Sequence, residues 1–282
     1  MMKKSSGTTK YFSLGLMALA IQGCGGDTNT STNLDNVDIS GPATGWEMVW
    51  NDEFDGTSID AAKWSHEVNC AGGGNQESQC YTDAPENSWV ADGMLNIAAL
   101  KADEGAEKPF TSARLSTKGK ADFLYGRIEM RAKLPSGQGS WPAFWMLGSN
   151  IKAKGWPQSG EIDIIELRGR EPALAIVSAH GPGYSGAASK TGSKRYSTPL
   201  SDDYHVYAIE WAANKISWFV DGKLVHTLTN KSVKAGTYVF NQDFFLILNV
   251  AMGGDFDGGQ LDSDIDGVKM SVDWIRYYSV NG

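Results

Sequence analysis

Three carboxylates lie among isoleucines in one short segment near the middle of the chain, at Glu161, Asp163 and Glu166. Isoleucine is typical of strands, so the segment is predicted to be a β-strand. Successive side chains of a strand point to opposite faces, so Glu161 and Asp163 share a face and Glu166 points away from it. A β-bulge at Ile164 and Ile165 adds one residue and returns Glu166 to the face of the other two.

Charged groups in an apolar strand are costly to desolvate, which indicates a chemical role for them. Two glutamates with a shorter aspartate between them fit the hydrolysis of a glycosidic bond. Retaining glycosidases hold two carboxyls about 5–5.5 Å apart, and two long side chains leaning inward over a concave surface approach that separation. Asp163 can hold a proton or orient a neighbour. The alternatives are a metal site and a solvated strand face, although solvated faces usually also contain Lys, Thr and Ser.

Residues 160–166 resemble the active-site strand of glycoside hydrolase family 16, in the bulged form of its laminarinase branch and of agarases and κ-carrageenases. The likeness extends from about Trp46 to Tyr278. Further segments that resemble the family, in the family's order, are 50–56, 74–77, 141–148 and 272–278. One such segment would be a weak signal, whereas the set in order is specific.

The resemblance implies a retaining endo-β-1,3-glucanase (laminarinase) that degrades a polysaccharide by double displacement and needs no cofactor for catalysis. It makes Glu161 the nucleophile, Glu166 the general acid/base and Asp163 an assisting carboxylate. Two alternatives stay open. One is a family 16 hydrolase of mixed-linkage β-glucan, agarose or κ-carrageenan, and the other is a non-catalytic surface glycan-binding lipoprotein.

The charge of the chain narrows the class of partner. The formal net charge is −8, which disfavours nucleic acid and makes a heavily sulfated polyanion less suitable than a neutral glucan. The predicted partner is therefore the polysaccharide β-1,3-glucan, with no nucleic acid, and we expect a monomer.

Tryptophans are the first candidates for sugar binding, because an aromatic ring offers a flat platform to the C–H faces of a sugar. Trp141 and Trp145 are four residues apart and share a face of a regular strand. The resemblance implies that both bind glucose units near the cleavage point, although either could belong to the core. Trp156 precedes Pro157 in a loop before the carboxylate strand, where it caps a sugar subsite or anchors the loop.

Three polar residues complete the predicted substrate-binding set. Asn75 lies in a glycine-rich turn, and the Gly-Asn motif of the family implies a hydrogen bond to a sugar hydroxyl. Arg127, on an alternating strand, binds hydroxyls, pairs with the nucleophile or is a surface arginine. The resemblance places His180 near the leaving-group side, and the alternative is a structural histidine.

Many family members carry a calcium ion on the convex side of the fold. The residues corresponding to its ligands here are Glu53, Asp273 and a backbone carbonyl near Gly93, and oxygen ligands suit calcium. Residues 262–267 offer a second interpretation, since they have the Asp-x-Asp-x-Asp-Gly opening of a calcium loop, but no helices flank them. The third interpretation is an acidic turn without an ion.

Strands must position these groups. Alternation over 126–134, an Asp-Gly hairpin over 215–226, a continuous apolar run over 244–250 and a last strand over 271–278 predict an all-β chain. Many glycines and short strands favour a β-sandwich. The resemblance narrows this to a jelly roll with a concave substrate cleft, forming one family 16 catalytic domain over 45–282.

The amino terminus has the pattern of an exported lipoprotein. Residues 1–23 contain lysines followed by a short apolar run, as in a signal peptide, and 21–24 resembles a bacterial lipobox with lipid on Cys24. Ordinary signal cleavage is the alternative. Residues 24–44 are predicted to be a flexible tether rich in Gly, Ser, Thr and Asn. The predicted location is the bacterial cell envelope, at the outer membrane or the cell surface, with contact to the membrane through the lipid anchor only.

Two further cysteines, Cys70 and Cys80, flank a glycine-rich loop. An exported protein tolerates disulfides, so these two residues either form a bond across the loop or remain as unpaired thiols. The sequence does not decide between these states, because pairing depends on the relative directions of the two side chains.

Overall fold

The computed structural model of the protein describes residues 45–280. The predicted signal peptide, the tether and the lipidated Cys24 lie outside these residues. No helix within the described range is long and apolar enough to cross a membrane.

Almost all regular structure is β. The strands are β1 (Trp46–Asp52), β2 (Ser65–His66), β3 (Gln79–Tyr81), β4 (Ser88–Ala91), β5 (Met94–Lys101), β6 (Phe110–Ser112), β7 (Arg114–Ser116), β8 (Gly126–Lys133), β9 (Ser140–Gly148), β10 (Glu161–Glu166), β11 (Leu174–His180), β12 (Lys190–Arg195), β13 (His205–Ala212), β14 (Lys215–Val220), β15 (Lys223–Thr229), β16 (Phe244–Met252) and β17 (Gly267–Val280). One α-helical turn, α1 (Ile151–Lys154), and short 3₁₀ turns at 72–74, 186–188, 230–232 and 255–257 connect them.

The strands form two sheets. The carboxylate sheet, which contains β10, has the order β12-β11-β10-β9-β16-β7-β2. The opposite sheet has the order β15-β14-β13-β8-β17-β5-β6-β3, with β1 also paired to β17 and β4 also paired to β5. Most neighbouring strands are antiparallel, and β3 with β6 is a parallel pair. The predicted all-β jelly-roll sandwich is confirmed.

Local sequence explains the strands that the pattern predicted. The hairpin between β14 and β15 turns at Asp221 and Gly222, whose φ angles are 49° and 68°. Both angles are positive, as in the turn that Asp-Gly favours between two strands. Strand β16 is buried along its whole length, as its continuous apolar run predicted.

The core lies between the sheets. Aromatic side chains of the opposite sheet, including the fully buried Trp218 and Tyr207, pack toward apolar residues of the carboxylate sheet such as Ile162 and Phe144. The indole Nε1 of Trp218 donates to the backbone carbonyl of Asp163 at 2.9 Å. The opposite sheet thereby contacts the core-facing side of β10, and the three carboxylates lie on the side of β10 that faces away from the core.

A disulfide joins Cys70 to Cys80, with a Cα–Cα distance of 4.1 Å. It closes the loop that contains the glycine-rich turn 72–74 and Asn75. A cross-link of this kind stabilises a fold chiefly by restricting the unfolded chain. The closed loop meets the carboxylate sheet at the end of β16, where the backbone N–H of Ser78 donates to the Met252 carbonyl at 2.7 Å.

Candidate active site

Strand β10 contains the predicted bulge. Its pairing with β9 is regular through Asp163 opposite Trp145, then shifts and resumes with Ile165 opposite Phe144. Its pairing with β11 shifts in the same interval, between Asp163 and Glu166. The extra residue is therefore in this interval, and it puts Glu166 on the face that carries Glu161 and Asp163.

A histidine from the neighbouring strand completes a cluster with two of the carboxyls. His180 lies directly opposite Glu161 in the β10–β11 pairing. Its Nε2 atom is 3.1 Å from Asp163 Oδ2 and 3.8 Å from Glu161 Oε1. The backbone N–H of Gly186 donates to His180 Nδ1 at 3.1 Å, so in the neutral ring the proton is on Nε2, facing the carboxylates.

This cluster could also be considered as a metal site, since its ligand atoms lie within 4.8 Å of one another. A metal would need the lone pair of His180 Nε2. That atom carries the ring proton as long as Nδ1 accepts from Gly186. The donor set therefore suits proton sharing among Glu161, Asp163 and His180 better than metal binding.

Two tryptophans each donate to one of the outer carboxyls. Trp156 Nε1 donates to Glu161 Oε2 at 2.8 Å, and its ring lies 5.9 Å from the ring of His180. Trp141 Nε1 donates to Glu166 Oε1 at 3.0 Å. The predicted Trp141, Trp156 and His180 thus lie together around the carboxylate row, and 47% of the Trp156 surface remains exposed to a ligand.

Burial raises the pKa of all three carboxyls, and repulsion between carboxylates adds to this effect for Glu161 and Glu166. Burial, and then the charge of Asp163, raises the pKa of Glu161 to about 8, against a weaker opposing effect of His180 and the Trp156 N–H. Burial raises the pKa of Asp163 to about 8. Burial, with Asp163 and Glu161 adding to it, holds the pKa of Glu166 well above the usual range of a glutamate. The surroundings of the two glutamates differ, because Asp163 repels Glu161 whereas both Asp163 and Glu161 repel Glu166.

Replacing Asp163 with Asn should change the stability of the protein in a pH-dependent way. The stability of the variant relative to wild type should be greater at pH 8 than at pH 4. The pKa of Asp163 is raised from 3.8 to about 8, so between these pH values the folded state binds more protons than the unfolded chain. The free energy of unfolding contributed by this group therefore falls as pH rises through that window, and below about pH 4 the contribution is fully present. Asn does not titrate, and its Tm should exceed that of wild type by at least about 2 °C at pH 8.

Calorimetry of both proteins at pH 4, 6 and 8 measures this difference. Asp103→Asn, at an exposed position, is the matched control for the chemical change itself. A gap for Asp163→Asn that is the same at pH 4 and pH 8 would mean that burial of this carboxyl does not hold its proton.

Trp145 belongs to a second group on the same sheet. Its Nε1 atom donates to Asn249 Oδ1 at 2.7 Å, and the guanidinium carbon of Arg114 lies 4.7 Å from its ring centroid. Asn249 Nδ2 donates in turn to the hydroxyl of Tyr81 at 3.1 Å. Trp145 is therefore held in place with one face against a cation while the side chain stays partly exposed.

The sequence interpretation did not identify Arg114 or Tyr81, and their local pattern gave little signal. Arg114 begins β7, whose length of three residues is too short to show alternation. Tyr81 donates to Glu77 Oε2 at 3.0 Å, and Glu77 was noticed only as the end of a resembling segment. This polar group is assembled from four distant parts of the chain, around residues 77–81, 114, 145 and 249, which spacing along the sequence does not reveal.

Asn75 lies near the end of the carboxylate row that is formed by Glu166. Its backbone carbonyl accepts from the N–H of Asp255 at 2.9 Å. Its side-chain Nδ2 lies 3.3 Å from Glu77 Oε1, to which it donates. A methyl group added at Gly254 would meet both the Asn75 carbonyl and the Trp141 ring, which places Asn75 beside the tryptophan that bonds Glu166.

The chain resembles proteins of known family. The model of the family described as glycosyl hydrolases family 16 matches residues 75–276. The chain belongs to this family.

Relatives in family 16 support the same assignment. The chain is 42% identical over 254 residues to the Beta-glucanase of Rhodothermus marinus, with 86% of this chain and 88% of that protein covered. It is 37% identical over 260 residues to Glucan endo-1,3-beta-glucosidase A1 of Niallia circulans, with 83% of this chain but 38% of that protein covered. The X-ray structure of endo-beta-1,3-glucanase from Pyrococcus furiosus superposes with a TM-score of 0.80 at 39% identity, covering 84% of this chain and 95% of that one. The predicted resemblance to the laminarinase-type branch of family 16 is confirmed.

Arg127, predicted to bind substrate from its place on an alternating strand, lies away from the carboxylate row. The residue lies on β8 of the opposite sheet, is 3% exposed, and forms ion pairs with Glu129 and Glu210, the latter at 2.8 Å. Alternation places the side chain on the face turned away from Ile128 and the core. The prediction that Arg127 binds substrate is therefore corrected, and it is Arg114, on β7 of the carboxylate sheet, that lies beside Trp145.

The residues predicted to hold calcium do not form a calcium-binding set in this arrangement. Glu53 accepts two hydrogen bonds from Arg276, at 2.9 and 2.7 Å, and Asp273 is paired with Arg131. The bond from Arg276 also lowers the pKa of Glu53, as expected for a carboxylate with a cationic partner. Calcium would have to displace an arginine from each carboxylate, and calcium binding at Glu53, Gly93 and Asp273 stays a prediction.

Proposed function

We propose that this protein hydrolyses internal bonds of β-1,3-glucan with retention of configuration. The observation that carries the proposal is the bulged strand β10, which presents Glu161, Asp163 and Glu166 in a row with an indole N–H bound to each outer carboxyl. Two carboxyls flanking one bond can act as nucleophile and as acid in a double displacement. The names of the relatives support β-1,3-glucan as the substrate class.

The environments of the two glutamates support a division of roles. Glu161 accepts from Trp156 and lies near His180, and these contacts oppose the effect of burial, which still raises its pKa to about 8, so Glu161 acts as a nucleophile in its ionised fraction. Glu166 is more buried and is repelled by both other carboxylates, so it retains a proton. Groups whose environments separate their pKa values in this way are assigned as base or nucleophile and as acid. Glu161 therefore attacks the anomeric carbon while Glu166 protonates the leaving oxygen.

The second half of the reaction uses the same residues in reverse. Once the sugar is bound covalently to Glu161, the negative charge of that side chain is lost and Glu166 has given its proton to the leaving sugar. Glu166 then takes a proton from water, which attacks the anomeric carbon and releases Glu161. Asp163, between them, exchanges a proton with Glu161 and His180 and keeps the total charge of the cluster low.

The proposal is tested by incubating the purified protein with laminarin and measuring new reducing ends, with lichenan, agarose and κ-carrageenan in parallel. We expect laminarin to be cleaved into a series of oligosaccharides, as an endo-acting enzyme produces. Cleavage of agarose or κ-carrageenan alone would replace the substrate but keep the chemistry. Binding of laminarin without any reducing ends would favour the non-catalytic alternative.

We also propose that the protein is exported, anchored to the bacterial cell envelope by lipid on Cys24, and monomeric. The lipobox-like segment 21–24 supports the anchor. Mass spectrometry of the mature amino terminus, together with the membrane fraction of Cys24→Ser, decides between lipidation and ordinary cleavage. Light scattering of the detergent-free Cys24→Ser protein measures its oligomeric state.

A further inference from the structure

The turn formed by residues 253–259 lies against the tryptophan that bonds Glu166. The ring of Phe256 stacks on Trp141, with centroids 4.7 Å apart and an interplanar angle of 27°. The guanidinium of Arg168 lies 4.5 Å from the centroid of Phe256. Phe256 is therefore in contact with an indole and a cation, which are two favourable partners for an aromatic ring.

The indole of Trp141 has only one polar atom, and that atom donates to Glu166 Oε1 at 3.0 Å. A hydrogen bond of this kind weakens steeply when the donor rotates away from the acceptor. Trp141 is on β9 and remains partly exposed, so the strand alone does not fix its ring. The ring of Phe256 stacks on one face of this indole, a contact that opposes rotation of the ring away from Glu166.

The turn that carries Phe256 is itself anchored by a fully buried carboxylate. Asp257 is 0% exposed, its Oδ2 accepts from the backbone N–H of Gly139 at 2.8 Å, and its Oδ1 lies 2.9 Å from Nε of Arg170. In the same turn, the backbone N–H of Asp255 donates to the Asn75 carbonyl. A buried charge with these partners has few other positions available, because an unpaired charge in the protein interior is strongly destabilising.

These contacts connect the turn to the two strands whose side chains form the Trp141–Glu166 hydrogen bond. Gly139 directly precedes β9, which bears Trp141, whereas Arg168 and Arg170 follow β10, which ends at Glu166. Gly253 also donates from its backbone N–H to Gly139 at 2.7 Å. The turn is therefore tied to the donor's strand through Gly139 and to the acceptor's strand through the arginines.

We propose that Phe256 and Asp257 are positioning residues for the reaction, which hold the Trp141 indole on Glu166 and so set how readily Glu166 gives up and takes back its proton. This inference rests on the proposed function for the role of Glu166, but the positioning itself is a property of the folded protein. Neither residue need touch the substrate. Asp257 fixes the turn, Phe256 transmits that position to Trp141, and Trp141 acts on the carboxyl.

The direction of the effect follows from the hydrogen bond. An N–H donated to a carboxylate favours the ionised form, so the Trp141 bond opposes the effect of burial on the pKa of Glu166. Loss of the bond therefore raises the pKa of Glu166 further. Glu166 would still act as an acid, but it would be a weaker acid in the first step and would recover its ionised form less readily for the second.

The first measurement needs no activity. In ¹H–¹⁵N spectra the indole N–H of Trp141, identified as the signal lost in Trp141→Phe, should lie at the low field typical of a bond to a carboxyl group. We expect this signal to move upfield or broaden in Phe256→Ala and in Asp257→Asn, and to be restored in Phe256→Tyr, which keeps the ring. An unchanged Trp141 signal in folded Phe256→Ala would overturn the proposal, whatever the protein hydrolyses.

The second measurement separates positioning from general damage to the fold. For Phe256→Ala we expect kcat on laminarin to fall by about tenfold, a part of the usual effect of general acid–base catalysis. The alkaline limb of the pH profile of kcat/KM should move to higher pH by about half a unit or more. Phe256→Tyr should restore both, and Leu224→Ala, at an exposed site of the opposite sheet, should change neither.

The outcomes are distinct from a failure of the proposed function. If wild type cleaves none of the polysaccharides, the proposed function fails and the indole signal alone decides whether Phe256 positions Trp141. If wild type cleaves laminarin and Phe256→Ala loses activity with an unmoved pH limb and an unmoved indole signal, Phe256 is only structural and the inference is wrong.

Discussion

Replacing Glu161 with Gln should lower laminarin hydrolysis by roughly 10³-fold or more while the protein remains folded. The amide has nearly the shape of the carboxylate but cannot attack the anomeric carbon, so the first displacement has no nucleophile. Removing a buried carboxylate that is repelled by Asp163 should not destabilise the fold. The measurement is the initial rate of reducing-end release from laminarin, with circular dichroism and Tm recorded on the same samples. Wild-type-like turnover by the purified variant would contradict the assignment.

A small anion tests the position of the missing nucleophile. In Glu161→Ala the space vacated by the side chain admits azide, which would attack the anomeric carbon from the face that Glu161 used. A single displacement inverts the configuration, so a β-glycoside with an activated leaving group should yield an α-glycosyl azide. A β-glycosyl azide from this variant would mean that another residue is the nucleophile. Glu47→Gln, on an exposed part of β1, is the control and should keep full activity.

The carboxylate strand was predictable because its information is local. Type and spacing alone put Glu161 and Asp163 on one face, and the odd interval to Glu166 required a bulge that the pairing with β9 contains. The hairpin at Asp221 and the buried β16 were predictable for the same reason. In each case a few consecutive residues carried both the conformation and the direction of the side chains.

The prediction for Arg127 was wrong because the surroundings of this residue depend on parts of the chain that are distant in sequence. Its strand alternates as predicted, but alternation does not say in which sheet a strand lies or what covers its polar face. Here β8 is in the opposite sheet, and the carboxylate of Glu210, on the adjacent β13, pairs with Arg127 across the two strands. Arg114, which does lie in the carboxylate sheet beside Trp145, is on a strand too short to show a pattern.

The calcium prediction remains untested, and its residues show why likeness to known ligands is not sufficient. Glu53 and Asp273 were chosen by their likeness to known ligands, but their partners are set by tertiary structure. Arg276, 223 positions away in sequence, binds both carboxylate oxygens of Glu53. Which of two cations, an arginine or a metal ion, neutralises a carboxylate depends on side chains that only the assembled sheet brings together.

Replacing Glu166 with Gln should produce a loss that depends on the leaving group. On laminarin we expect a fall of roughly 10²–10⁴-fold, the usual contribution of a general acid, because a sugar hydroxyl leaves poorly without a proton. On a 2,4-dinitrophenyl glycoside of laminaribiose the leaving group needs no proton, so the first step should remain fast. The measurement is the stopped-flow release of dinitrophenolate, compared with laminarin hydrolysis by the same variant.

The second step gives this variant its signature, because deglycosylation needs the base that Gln cannot supply. We expect a burst of dinitrophenolate close to one equivalent, followed by slow turnover, and a covalent glycosyl adduct that mass spectrometry of peptides locates on Glu161. Azide should speed the slow phase and yield a β-glycosyl azide, since two displacements restore the configuration. An adduct on Glu166 in the Glu161→Gln protein would reverse the two roles. Equal losses on both substrates, with no burst, would instead mean that Glu166 supports the site without transferring the proton, and Trp141 would then bond to a structural carboxyl.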